Sequence, residues 1–176
     1  MSSPYPGHLS KTVTLNNGVD VVLRPIRAED AGIEQEFVRH LSDESRYFRF
    51  MHALKELSPG MLTRLTEIDY DREMAFIATR NEDGHEIEIG VARYIIEGES
   101  GNCEFAVVVD DEWQGQGVAT ALMQTLMEVA KARGLTKMTG EVLSGNKQML
   151  SLMERLEFTV MKHPEDSSLR LVHRPL

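Results

Sequence analysis

Residues 103–122 read CEFAVVVDDEWQGQGVATAL, and this stretch decides the fold. CEFAVVV is an apolar run of strand length, interrupted only by Glu104. Three acids follow, Asp110, Asp111 and Glu112, then Trp113, then Gly115 and Gly117 one residue apart. Beyond them Val118, Leu122, Leu126 and Val129 recur at helical spacing, and Gly134 marks the end. LTKMTGEVL, 135–143, reads as the next strand. Strand, glycine turn, helix and strand in that order form a crossover unit with two parallel strands. Glycines between a strand and a helix bring backbone close to something, very often a phosphate.

Outward from that unit the chain punctuates itself. In TVTLNNGVDVVLRPI, Thr12–Leu15 and Val19–Ile26 flank Asn17-Gly18, a hairpin turn signal. Ile33, Phe37 and Leu41 lie four apart on an amphipathic helix. Ser42 reads as the N-cap of a second helix, and Ser58-Pro59 opens a third. MAFIATRN and EIEIGVARYII are strands joined through Asp83-Gly84, and a connection from Gly98 to Asn102 leads into CEFAVVV. Asn146 begins a helix carrying Met149, Leu150, Met153 and Leu156, and FTVMKH and SLRLVH close as two strands. The expectation is a mixed α/β fold: a mostly antiparallel sheet, one parallel β-α-β crossover, and helices on both faces. Residues 1–10 read as a flexible N-terminal arm, and 11–176 as a single domain.

Composition sets outer bounds. Apolar residues make up 41% and charged residues 27% of 176, an ordinary balance for a globular domain. The net charge of −9 argues against nucleic acid or an anionic membrane as partner, and suits a cationic one such as an amine. No apolar run has the length of a bilayer span and MSSPYPGHLSK has no signal core, so a cytoplasmic location is expected. The single cysteine, Cys103, reads as a small buried hydrophobe. No histidines share metal-ligand spacing, and no metal is expected.

Which phosphate-bearing ligand would the glycines meet? A dinucleotide fingerprint fails at Thr120, where a third small residue is needed, and no acid ends the following strand at the required distance. A triphosphate loop fails for want of Gly-Lys-Ser/Thr. A plain glycine turn with no ligand remains open. Gln114-x-x-Gly117-x-Ala119, by contrast, resembles the pyrophosphate loop of the GNAT N-acetyltransferases, Q/R-x-x-G-x-G/A. The N–H groups of Gly115, Gln116, Gly117, Val118, Ala119 and Thr120 would then converge at the positive end of the 117–133 helix and hold the diphosphate of coenzyme A. Asp110, Asp111 and Glu112 would repel that anion, so their carboxylates are expected to face solvent.

The resemblance reaches well beyond the loop. NGVDVVLRPIRAED, LSDESRYFRFM, DYDREMAFIA, EFAVVV, DDEWQGQGVA and PEDSSLRLV together resemble the acetyltransferase domain of bacterial protein-lysine acetyltransferases, from about Val13 to Leu171. It implies a GNAT-like fold, acetyl-CoA as acyl-donor substrate, and a protein lysine as acceptor. Those enzymes modify acyl-CoA synthetases. Larger members carry an attached regulatory or synthetase-like domain, which these 176 residues do not include.

Transfer to an amine needs the amine neutral, and a lysine with pKa near ~10.4 needs a base at neutral pH. Glu104 is the candidate: it is the one ionisable residue between Cys103 and Val109, and partial burial would raise its pKa. The resemblance implies the same role; a strand-end carboxylate in water is the alternative. Val107, Val108 and Val109 would offer main-chain groups to the pantetheine arm, one N–H polarising the thioester carbonyl. Asn146 either caps its helix or touches the coenzyme. Many relatives protonate the leaving thiolate from a tyrosine in L-Y-x-x-x-G-F; here Met153 and Glu157 stand in place of the tyrosine and the glycine, so no general acid is named.

Of Tyr47, Phe48 and Phe50, at least two are expected in the core, and Trp113 beneath the loop. Asp69, Asp71 and Glu73 read as a solvated loop. Two other functions stay open at this point, acetylation of a small amine or polyamine and a non-catalytic acyl-CoA-sensing module.

Overall fold

The computed structural model describes residues 3–176, in which eight strands form one sheet ordered β1-β2-β3-β4-β5-β6-β8-β7. β1 (Lys11–Thr14) and β2 (Asp20–Pro25) form the hairpin at Asn17-Gly18, where Gly18 has φ 84°. That left-handed turn is open to glycine at little cost. Helices α1 (Ala31–His40), α2 (Asp43–Phe50) and α3 (Pro59–Thr66) follow. Ser42 accepts the Ser45 N–H and Ser58 the Met61 N–H, so both caps are where the sequence puts them.

β3 (Glu73–Glu82) and β4 (His85–Glu97) make the long central hairpin, and β5 (Asn102–Val109) adds to it antiparallel. α4 (Val118–Ala132) then crosses over to β6 (Lys137–Leu143), which pairs parallel with β5. α5 (Lys147–Arg155), β7 (Thr159–Lys162) and β8 (Leu169–Pro175) complete the chain. The mixed, mostly antiparallel sheet with one parallel pair is the architecture the sequence led us to expect.

Alternation along β4 shows that both faces of the sheet are covered. Gly90 faces α4, for a Cβ there would stand 3.1 Å from Val118 and Leu122. Arg93, of opposite parity, faces α1, its guanidinium 3.8 Å from Glu34. β3 is accordingly buried on both sides from Met74 to Thr79, which is why its sequence shows no polar alternation. Residues 3–10, the stretch read as a loose arm, make definite contacts from Ser3 onward; residues 1 and 2 lie outside the described residues. Ser3 N–H donates to Asp69 O, and Tyr5 donates to Pro25 O and meets the Tyr70 ring edge-on. No described helix is long and apolar enough to cross a membrane.

Candidate active site

The parallel pair of strands is short, and the site follows from that. β5 and β6 pair only at Asn102↔Lys137, Cys103↔Met138 and Glu104↔Thr139. At the next step the ring of Phe105 lies on Gly140 and packs against Phe158, with ring centroids 5.4 Å apart. Beyond it β6 pairs with β8 alone, and residues 105–109 of β5 lose their neighbour on that side. Apart from the Val109 carbonyl, which Gln114 takes, main-chain groups on that edge are free for a ligand to pair with. A cleft of about 1210 Å³ opens there, running from Glu104 along β5 to the loop at the start of α4.

The loop is shaped by backbone conformation. Gly115 and Gly117 have φ 79° and 96°, and a Cβ on Gly115 would meet nothing within 4 Å. The first backbone bond of the α4 turn is Ala121 N–H to Gly117 O, 3.0 Å, so earlier N–H groups have no intrahelical acceptor. They lie beside the space that a side chain at 115 would fill, and the dipole of α4 makes that end positive. The residues present therefore fit a diphosphate.

The side chains around the loop hold it in place. Gln114 Nε2 donates to Val109 O (3.1 Å) and Ser45 Oγ (3.5 Å), tying the loop to β5 and α2. Gln116 offers its carbonyl to Asn16 N–H (3.0 Å), which anchors the β1–β2 turn. Of the three acids before the loop, Asp111 and Glu112 are exposed as expected, and Asp110 is not. Asp110 is buried, accepting the Glu112 N–H (2.9 Å) and facing His40 Nδ1 at 2.7 Å. Asp111 takes the Ser42 N–H and both the Ser42 and Ser45 hydroxyls. Burial works against the Asp111 charge, but those donors outweigh it and hold the carboxyl below its usual range. Two acids read as solvated thus brace α1 and α2 against the loop, because donors from distant elements meet them.

Most of the residues singled out from the sequence come together here. Glu104, Val107, Val108, Val109, Gln114, Gly115, Gly117, Val118, Ala119, Thr120 and Asn146 all line the cleft, and Gln116 does not. The three valine side chains are buried. Asn146 does cap α5, accepting the Met149 N–H at 3.3 Å, while still facing the cleft. Trp113 lies under the guanidinium of Arg80 (5.2 Å). No tyrosine lines the cleft among the described residues, and Met153 is fully buried.

Glu104 lies at the end of the cleft away from the loop, on the sheet face of α1. Its side chain reaches solvent, yet its carboxyl is pushed up to about 7, first by partial burial, then by the carboxylates of Glu97 and Glu141. The strand across from it presents Ile95, 46% exposed, so an apolar surface adjoins the carboxyl.

Two expectations need correction. Neither Phe48 nor Phe50 is fully buried, Tyr47 is 47% exposed, and the two phenylalanines line the cleft. The inward place on α2 belongs to Arg46, 7% exposed, whose guanidinium donates to the carbonyls of Val38, Arg39, Leu41 and Leu54. Those are mostly last-turn carbonyls of α1, which a cation satisfies well. Asp69 is likewise built in, accepting the N–H groups of Asp71, Arg72 and Glu73. The sequence reading also missed Glu97, at the end of the adjoining strand, and Asn16, Ser45, Glu141 and the cleft arginines, brought in from elements farther along the chain.

The acetyltransferase (GNAT) family model matches residues 36–158. An acetyltransferase of Pseudomonas aeruginosa is 39% identical over 161 residues, covering 92% of this chain and 86% of that protein. Acetyltransferase Pat of Mycolicibacterium smegmatis is 29% identical over 145 residues; the match covers 82% of this chain and 43% of that longer protein. The crystal structure of the GNAT domain of S. lividans PAT superposes with a TM-score of 0.88 at 30% identity, covering 98% of this chain and 99% of that one.

Proposed function

The chain belongs to the GNAT acetyltransferase family, and from that premise we propose that it acetylates a protein lysine from acetyl-CoA, with Glu104 as general base. One observation carries the reading. A single cleft holds, at one end, a glycine loop fit for a diphosphate and, at the other, a carboxyl pushed up to about 7. A base with that pKa is half ionised at neutral pH and can still accept a proton from an ammonium.

Acetyl-CoA supplies a thioester carbonyl whose C–S bond breaks as the amine nitrogen bonds to its carbon. The chain's own residues do the rest. Loop N–H groups of 115–120 hold the diphosphate, and the free edge at Val107 and Val109 aligns the pantetheine arm and polarises the carbonyl, while the main-chain groups of Val108 face β4. Asn146 adds a contact to the coenzyme at the mouth of α5. Glu104 takes the proton of the incoming ammonium, directly or through one water. The thiolate departs as the anion or is protonated by water, since its modest pKa permits it. The exposed Ile95 beside Glu104 suits the aliphatic stem of a lysine, and Glu97 and Glu141 suit its charge. Likeness to the Pat-type acetyltransferases over most of the chain supports a protein acceptor, such as a cytoplasmic acyl-CoA synthetase.

The test is a cell lysate incubated with the protein and isotope-labelled acetyl-CoA, followed by mass spectrometry. Label on protein lysines is the expected result. Label on small amines alone would overturn the lysine acceptor, and label on neither would overturn transfer itself.

A further inference from the structure

Two arginines on α2 and α3 line the cleft without an ion pair of their own. Arg49 on α2 and Arg64 on α3 face the same space as Glu104, among Phe48, Phe50 and Met61. The ion pairs of α1–α3 and β4 engage Arg39, Arg46 and Arg93. Arg49 and Arg64 enter no ion pair and no side-chain hydrogen bond among the described residues; Arg49 merely lies over the Phe50 ring at 4.7 Å.

Their position along the cleft can be derived. The first turn of α2 is bound to the phosphate loop through Ser42 and Ser45. Arg49 lies one turn beyond Ser45 on the same helix face, about 6 Å farther from that loop. α2 packs on β5, and Arg49 feels the charges of Arg93, Glu34 and Arg64. Arg93 pairs across the sheet with Ala106, and Glu104 is the next residue of β5 on that face, about 7 Å away. Arg49 therefore lies along α2 beyond the diphosphate loop, over the sheet face that carries Glu104.

Glu34 is the acid whose charge Arg49 feels, and it already lies 3.8 Å from Arg93. Glu88 is buried and held well above the ordinary carboxyl range, by burial and by Glu34. Arg49 is pushed down to about 10 by burial first and by Arg93 next. A half-buried guanidinium without an anion is unfavourable, and a carboxylate offers it two oxygens in matching geometry.

We propose that Arg49 and Arg64 form a carboxylate subsite, so that the acceptor offers an amine to Glu104 and an anionic carboxylate to these two guanidinia. The proposal rests on the N-acetyltransferase reading above and narrows its substrate class. The carboxylate has two possible sources: an acidic residue next to the target lysine of a peptide, or the α-carboxylate of a free amino acid.

The experiment uses matched acceptors. One pair is a blocked pentapeptide with lysine followed by Asp and the same peptide with lysine followed by Ala. The other is lysine and methionine against their carboxamides, which lack the carboxylate. The expected result is a preference of about tenfold or more in kcat/KM for the acid-bearing member of at least one pair, the size of a charge-assisted hydrogen bond. Which pair shows it identifies the source. In Arg64→Gln, an exposed position, and in Arg49→Gln and the conservative Arg49→Lys, that ratio should fall toward one. The ratio is the readout because misfolding or weakened donor binding lowers both members equally. An equal loss for both members overturns the subsite, as does a wild type indifferent to the carboxylate; either result leaves acetyl transfer standing. No transfer to any acceptor in either pair overturns both readings.

Discussion

The ring of Phe105 lies so close to Gly140 that a Cβ on that glycine would stand 2.5 Å from Cε1 and 2.9 Å from Cζ. Pairing between β5 and β6 stops one residue before this contact. The ring is thus the wedge that keeps the strands apart where the cleft begins. Phe105 is buried against Phe158, so it has little room to retreat. Gly140→Ala should lower stability by about 1–3 kcal/mol, the usual cost of overpacking. It should also raise the KM for acetyl-CoA by distorting the cleft edge. Urea denaturation and steady-state kinetics check both, and an unchanged midpoint would show that the ring moves freely.

With Glu104 as the proposed base, its carboxyl would set the pH dependence. Its pKa of about 7 means that the ionised, proton-accepting form grows as pH rises from 6 to 8. We expect kcat/KM to climb through that range and level off above it. Glu104→Gln should lose about 100-fold or more of kcat and, with it, that limb of the profile. Near wild-type turnover in the variant would remove Glu104 from the mechanism.

Gly115 and Gly117 test the loop separately. Both have positive φ, so Ala at either position should cost about 1–2 kcal/mol of stability. Their surroundings differ. A methyl group on Gly117 would meet Asn16 at an ordinary 3.6 Å, whereas one on Gly115 enters open space beside the loop N–H groups. Gly115→Ala should therefore raise the KM for acetyl-CoA more than Gly117→Ala does at equal stability loss. Equal effects on KM would place the diphosphate elsewhere.

What could be read directly from the sequence was local. Asn17-Gly18, the Ser42 and Ser58 caps and the strand-glycine-helix order each depend on neighbours a few residues apart, and each stands where expected. That the loop and Glu104 share one cleft follows from the same local order. What could not be read depends on residues far apart. Nothing in DDEW says that Ser42 and Ser45, more than sixty residues earlier, will donate to Asp111. A pattern that puts Phe48 and Phe50 inward cannot know that Arg46 will be drawn in by the carbonyls ending α1. The wedge of Phe105 on Gly140 is of the same kind.

Glu88 offers a test of the buried charges. It is 2% exposed and meets the carboxyl of Glu34, and burial first, then the charge and hydrogen bond of Glu34, hold its pKa well above normal. A pKa raised on folding favours the folded state fully below the unfolded value, about 4.3. That contribution is lost as pH rises toward the folded value. Glutamine cannot ionise, so the Tm of Glu88→Gln relative to wild type should rise as pH climbs above that unfolded value, across pH 5 and upward. A difference constant across that range would mean that Glu88 does not titrate there.

Glu157 occupies the place where the related pattern has glycine, and the backbone shows why glycine would suit it. Its φ is 64°, left-handed, just past the end of α5. Phe158 N–H reaches back to Met153 O at 2.8 Å, the six-to-one bond that ends a helix through a left-handed residue. An L side chain in that conformation costs about 1 kcal/mol relative to glycine. The compensating ion pair to Arg174, 3.8 Å long with Glu157 81% exposed, is too solvated to offset it. Glu157→Gly should accordingly stabilise the protein, raising Tm by a few degrees with no change in KM for acetyl-CoA. A fall in Tm would show that the carboxylate holds β8 to α5 more firmly than its exposure suggests.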